Sequence, residues 1–240
     1  MPPRLFIDRP LTAGATFALP AGPARHAQVL RLQPGAALTL FDGTGGESAA
    51  TVVQMGRSEV TVRLGERTEV DRELPFQVTL ALGMPANERM DTLVEKATEL
   101  GASTIQPLLC ERSVLRLTGE RADKKVAHWQ AVALAACEQS GRTRVPVIAP
   151  VRALAQWLRE LPLDARSRWM LGFRDARPVA ALTMAPAGVV CLSGPEGGLS
   201  SDEEAAARAA GFEAVSLGPR VLRAETAPLA LLAFLALCAG

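Results

Sequence analysis

Two stretches near the C-terminus, Val189-Val190-Cys191-Leu192-Ser193-Gly194-Pro195-Glu196-Gly197-Gly198 and Leu217-Gly218-Pro219-Arg220-Val221-Leu222-Arg223-Ala224-Glu225-Thr226-Ala227, decide how this chain is read. Each follows an apolar run that reads as a strand. Each opens into a loop carrying glycine, which lets a main chain approach a ligand closely because no side chain stands in the way. Two such loops at the ends of two predicted strands point to one ligand cleft with backbone-lined walls. No Lys-Ser/Thr follows the glycines, so this is not a Walker-type phosphate loop. No Gly-x-Gly-x-x-Gly is present, so the usual dinucleotide fingerprint is absent as well.

Strands and helices alternate upstream of these loops. Strand 78–82 precedes a helix near 88–100, where Met90, Leu93, Val94, Ala97 and Leu100 recur at helical spacing and Gly101 supplies a stop. Strand 104–109 comes next, then a long helix near 121–139. Strands at 145–148 and 169–173 flank a helix near 154–161. Strand 189–193 leads to a helix capped by Ser200 or Ser201, with Glu203 or Glu204 three residues on. Strand 214–217 is the last, and Thr226 is expected to cap the final helix with Pro228 in its first turn. This alternation predicts an α/β fold with a parallel sheet covered by helices. Residues 1–70 differ. Runs at 37–41, 49–53 and 60–64, separated by Asp42-Gly43 and Gly45-Gly46, predict a small β-barrel. The charged segment from Val70 to Pro75 reads as a linker, so the expected domains are 1–72 and 73–240.

The bulk composition excludes more than it assigns. With 26 basic and 25 acidic side chains the net charge is +1, so a nucleic-acid surface must come from local clustering. Two modest basic patches exist. One contains Arg4, Arg9, Arg25 and Arg31; the other lies in 111–144. Ordinary solvated surface would look the same. Cys110, Cys137, Cys191 and Cys238 are far apart with no Cys-x-x-Cys, and neither His26 nor His128 lies beside a ligand cluster, so no metal site is expected. The N-terminus lacks a signal-peptide pattern. The longest apolar run, Leu229 to Cys238, is far short of the roughly 20 residues a spanning helix needs. The expectation is a cytoplasmic protein with reduced thiols and no membrane partner.

Over nearly its whole length the chain resembles the SPOUT class of methyltransferases, whose C-terminal chain passes through a trefoil knot. Within that class it is most similar to the RsmE family, 16S ribosomal RNA uracil-N3 methyltransferases. The resemblance rests on Arg4-Leu5-Phe6, His26 through Arg31-Leu32, Glu95 through Gly101, Glu111-Arg112-Ser113 and Glu138-Gln139-Ser140-Gly141-Arg142. Its most specific parts are Gly194-Pro195-Glu196-Gly197-Gly198 and Leu222-Arg223-Ala224-Glu225-Thr226-Ala227. It implies a PUA-like RNA-binding barrel before a SPOUT knot domain. It also implies S-adenosylmethionine (SAM) as cofactor, 16S ribosomal RNA in the small ribosomal subunit as substrate, and a homodimer.

The same resemblance carries roles to residues. Leu171, Gly172, Leu192, Ser193, Gly194, Glu196, Gly197, Leu217, Gly218, Val221, Leu222, Ala224 and Thr226 are expected around SAM. The glycines by themselves could serve only tight strand-to-helix turns. The N3 of uracil is protonated at neutral pH, so something must accept that proton or stabilise the anion. The candidates are Glu225 as base and Arg223 as cationic partner, with a brace paired to an arginine as the other reading of Glu225. Arg4, Arg25, His26, Arg31, Arg112 and Arg142 are the expected RNA contacts, and Arg142 could instead face the other subunit's cofactor cleft. His128 reads as structural. The competing reading of the whole chain is a non-catalytic RNA-binding or ribosome assembly factor. A nucleotide-binding hydrolase or oxidoreductase lacks the lysine, histidine or metal cluster it would need.

Overall fold

A computed structural model describes residues 2–57, 59–86 and 88–239. The chain sorts into two compact units. One comprises Met1–Glu73 with Leu134–Val145; the other comprises Leu74–Ala133 with Pro146–Gly240. The later segment Leu134–Val145 is grouped with the first unit.

The first unit is a mixed sheet in the order β1-β3-β4-β5-β2. Its strands are β1 (Arg4–Phe6), β2 (Thr16–Ala18), β3 (Ala37–Phe41), β4 (Glu47–Met55) and β5 (Val60–Thr68). β1 runs parallel to β3, and the other pairs are antiparallel. Alternating side chains Leu38, Leu40, Ala50, Val52, Val60, Val62 and Leu64 form its core together with Leu5 and Ile7, as one-sided burial of pleated strands requires. A short helix, α1 (Ala21–Val29), buries Ala24 and Ala27 against that core. Residues 1–70 read as mostly strand, so this helix is a departure from the expectation. The later segment is tied in by Glu138, whose carboxylate accepts the backbone N–H of Phe6 at 2.9 Å.

The second unit is an eight-stranded sheet in which every pair is parallel. Its strands are β6 (Gln77–Gly83), β7 (Thr104–Leu109), β8 (Val147–Ile148), β9 (Arg152–Ala153), β10 (Ser167–Leu171), β11 (Arg177–Pro178), β12 (Gly188–Ser193) and β13 (Glu213–Ser216). The order is β11-β13-β10-β12-β6-β7-β8, with β9 beside β7. All six residues of the central strand β12 are buried, as expected of a strand covered on both faces.

The covering helices are α2 (Glu88–Glu99), α3 (Gly119–Ser140), α4 (Leu154–Arg159), α5 (Ser201–Ala209) and α6 (Thr226–Cys238). The last turns of α3, from Leu134, belong to the first unit. α2 turns Met90, Leu93, Val94 and Ala97 to the core at helical spacing, and losing one such leucine to alanine costs about 2–5 kcal/mol. α5 starts with a full capping box: Ser200 accepts from the Glu203 N–H, and the Glu203 carboxylate accepts from the Ser200 N–H. α6 differs from the expectation. Glu225, not Thr226, is its N-cap residue and makes no side-chain cap bond. No helix among the described residues is long and apolar enough to cross a membrane.

Candidate active site

Ligands of parallel sheets bind beyond the carboxyl ends of the strands. Here the loops after β10, β12 and β13 line one cleft of ≈ 820 Å³, within the usual size of small-molecule sites. Of the expected cofactor residues, Leu171, Gly172, Ser193, Gly194, Glu196, Leu217, Val221, Leu222 and Ala224 lie on its wall. Leu192 does not, because it is fully buried in the sheet core. Gly197, Gly218 and Thr226 are also off the wall. Gly197 faces Arg112 instead: a β-carbon there would meet the Arg112 Cβ at 3.0 Å.

The two diagnostic glycines act differently. A β-carbon on Gly194 would lie 2.9 Å from the Leu199 nitrogen and 3.1 Å from the Gly198 carbonyl carbon, inside its own loop. Gly218 has φ +111°, outside the range of L side chains, with nothing within 4 Å of a β-carbon. Gly194 therefore permits a tight loop, and Gly218 permits a backbone turn.

Arginines tie the loops to their surroundings. Arg112 donates to the carbonyl oxygens of Gly197 at 3.1 Å and Leu199 at 3.3 Å. It was expected on RNA, and its guanidinium here holds the loop after β12. Arg89, from α2, stands 3.5 Å from Glu196 and 3.9 Å from Glu225, so one cation faces both glycine loops. The Ala86 N–H donates to Glu196 at 3.0 Å. Arg223 is exposed on the cleft wall. Glu225 is not on the wall, and its Oε2 is buried without a hydrogen-bond partner. Its pairing with Arg89 favours the brace.

Some wall residues had no site role in the sequence. They include Arg89, Phe173, Arg174 and Arg208. Strand ends were the signal available for three of them: Arg89 follows β6, and Phe173 and Arg174 follow β10; Arg208 lies within α5.

The expected RNA contacts of the first unit separate into exposed and buried groups. Arg25 and Arg31 are exposed. His26 is half-exposed, with Nδ1 3.4 Å from a Glu138 oxygen. Burial raises the Glu138 carboxyl above its ordinary value, against the opposing hydrogen bond from Phe6 and the nearby His26. Arg4 is only 7% exposed. It pairs with Glu47, donates to the Arg142 carbonyl at 3.1 Å and lies 5.0 Å from the Phe41 ring centroid. Arg142 is 4% exposed and forms a two-pronged pair with Glu73. Both were expected to reach a ligand, and both are instead packed inside the first unit. An arginine enters an interior only when its charge is paired, and each of these is.

The cysteines have no part in the site. Cys110, Cys137 and Cys191 are buried. Burial pushes their thiols up to about 12, 11 and 12 respectively.

Residues 72–236 match the RNA methyltransferase domain family, and residues 23–65 match the RNA methyltransferase PUA domain family. The chain is 34% identical over 224 residues to ribosomal RNA small subunit methyltransferase E of Synechocystis, covering 91% of this chain and 72% of the relative. It is 35% identical over 227 residues to the protein of that name from Mycobacterium tuberculosis, covering 92% and 86%. A crystal structure of ribosomal RNA small subunit methyltransferase E from Neisseria gonorrhoeae, bound to S-adenosyl methionine, matches with a TM-score of 0.93 and 37% identity over 98% of this chain and 96% of that one. A methyltransferase from Legionella pneumophila in complex with SAM matches with a TM-score of 0.94 and 32% identity over 99% and 98%. The chain belongs to the ribosomal RNA small subunit methyltransferase E family of RNA methyltransferases.

Proposed function

We propose that this protein transfers the methyl group of SAM to N3 of a specific uridine in 16S ribosomal RNA of the small subunit. The observation that carries this reading is the single cleft formed by the loops after β10, β12 and β13. Its residues fit the cofactor. Met170, Leu171, Leu217, Leu222 and Ala224 offer apolar wall, Ser193 and Glu196 offer polar groups, and Gly194 lets the loop after β12 fold tightly.

Bound SAM supplies an electrophilic methyl group and needs no metal to activate it. The chain's task is orientation, which can contribute much of the rate. The backbone loops would fix the cofactor, and the cleft would exclude water from the reacting groups. Arg223, on the wall and without a side-chain partner among the described residues, would stabilise the anion that forms as the uracil loses its N3 proton. Glu225 would hold Arg89 and the start of α6 in place.

The PUA-like unit, assigned to 1–72, would dock the RNA through Arg25, His26 and Arg31, while 73–240 performs the chemistry. α6 is apolar on nearly every side. Leu231, Leu232 and Leu235 enter the core, yet Leu237 is 83% exposed. That outward surface is the ground for a homodimer, in a cytoplasmic enzyme.

The test is to incubate the protein with labelled SAM and small subunits lacking the modification, then map the methylated nucleotide by mass spectrometry. Label on N3 of one uridine is expected. SAM binding with no transfer to any ribosomal RNA would favour an assembly factor.

A further inference from the structure

Chemistry on a base requires that the base leave its stack. An extruded base needs a flat apolar surface to receive it. The sequence holds seven phenylalanines, three tryptophans and no tyrosine. Among the described residues, Phe173 is the one exposed aromatic, at 59%, and it lies on the wall of the cleft.

The backbone beneath Phe173 is held on both sides. The Gly172 N–H donates to the Val215 carbonyl at 3.1 Å. Arg208 donates to the Arg174 carbonyl at 2.9 Å. Asp175 then turns the chain with φ 51°, a left-handed conformation uncommon for a non-glycine residue. A ring so exposed on a fixed turn gains nothing from the fold itself.

The loop after β13 repeats the arrangement. Val221 is 84% exposed and follows Arg220, and both line the same cleft. Each loop thus presents an exposed apolar side chain next to an exposed arginine: Phe173 with Arg174, and Val221 with Arg220. Neither guanidinium has a side-chain or backbone partner among the described residues. Arg89, Arg112 and Arg208, on the same wall, all do. Apolar faces for bases interleaved with cations for phosphates are the chemistry of single-strand recognition.

We propose that Phe173 is the platform on which the extruded target base stacks, and that Arg174 and Arg220 hold the flanking phosphates. The catalytic unit then reads the nucleotide itself, in addition to any docking by the first unit. This inference rests on the methyltransferase reading of the cleft.

The experiment compares wild type with Phe173→Ala, Phe173→Trp, Arg174→Ala and Arg220→Ala in the full chain. Three quantities are read: SAM affinity by calorimetry, kcat/KM on unmodified small subunits, and binding of a fluorescein-labelled oligouridylate with SAM present. Loss of one stacked base should weaken oligonucleotide binding and kcat/KM by about 5- to 100-fold in Phe173→Ala. SAM affinity should stay within about twofold, and Phe173→Trp should recover most of the loss. Each arginine variant should lower the salt slope of oligonucleotide binding by about 0.7, the single-strand value for one phosphate contact. Unchanged oligonucleotide binding in Phe173→Ala overturns the platform. An equal loss of SAM affinity also overturns it, because Phe173 would then cover the cofactor. Unchanged salt slopes overturn the arginine assignment. If wild type methylates no ribosomal RNA, the methyltransferase reading fails separately, and oligonucleotide binding still decides the platform.

Discussion

A β-carbon added to Gly83 would stand 2.5 Å from both the nitrogen and the Cδ of Pro195. The last residue of β6 and the loop after β12 therefore meet backbone to backbone. Neither could move apart without opening the wall that begins at Ser193.

Gly83→Ala should push that loop outward. Overpacking of this kind costs about 1–3 kcal/mol. SAM affinity by calorimetry is expected to fall at least about tenfold, with a lowered Tm. Wild-type affinity would show that the loop does not depend on this approach.

The other two glycines should fail for different reasons. Gly194→Val clashes with the Leu199 nitrogen in its own loop and should abolish SAM binding in a folded protein. Gly218→Ala meets no atom, and its cost is backbone strain of about 1–3 kcal/mol. It should retain measurable SAM binding, and calorimetry on both variants separates the two cases.

Arg223→Ala should lower kcat by about 10²- to 10³-fold, the usual effect of removing one charge-stabilising donor, while RNA affinity changes little. Glu225→Gln should behave as the loss of a brace, with a lower Tm and weaker SAM binding but kcat within about tenfold. A drop of about 10²- to 10⁴-fold in kcat at saturating SAM would instead make Glu225 the base.

Arg142→Ala leaves Glu73 without its partner in a buried setting. Stability should fall by about 3–5 kcal/mol, read by denaturant titration. The double variant Arg142→Met/Glu73→Leu should recover much of that. If Arg142→Ala removes activity without loss of stability, Arg142 reaches a ligand after all.

Arg25→Ala and Arg31→Ala should weaken RNA binding and leave SAM affinity intact. The salt slope should fall by about one unit for each lost phosphate contact. An effect on kcat at saturating RNA would bring the first unit into the chemistry.

The parts of the fold that announce themselves locally were legible. The helical spacing of Met90, Leu93, Val94 and Ala97 and the Ser200–Glu203 capping box are short-range patterns, and both stand in the structure. β1 and β2 are three residues each, too short to show alternation. α1 carries Gly22, a poor helix former, while Pro23 in its first turn gives up no intrahelical hydrogen bond; the burial of Ala24 and Ala27 offsets the cost of the glycine. Arg4 and Arg142 read as surface because arginine usually is. Their partners Glu47 and Glu73 lie far away in the chain, and no local pattern reports such a pair. At the cleft, motif residues were found and Arg89, Phe173 and Arg174 were not. Their role comes from convergence of loops, which only the tertiary structure displays.

The parallel pairing of β12 with β6, which sets Gly188 opposite Gln77, also bears on how the protein is made. β6 emerges from the ribosome long before its neighbour exists. Such distant pairings delay folding and leave strand edges open to wrong partners. The middle of the sheet can close only when synthesis is nearly complete, so the catalytic cleft is the last part of the second unit to take shape. A chain that stops before Gly188 would carry β6 and β7 with an unprotected edge, and would be expected to aggregate or be degraded rather than persist as a partial enzyme.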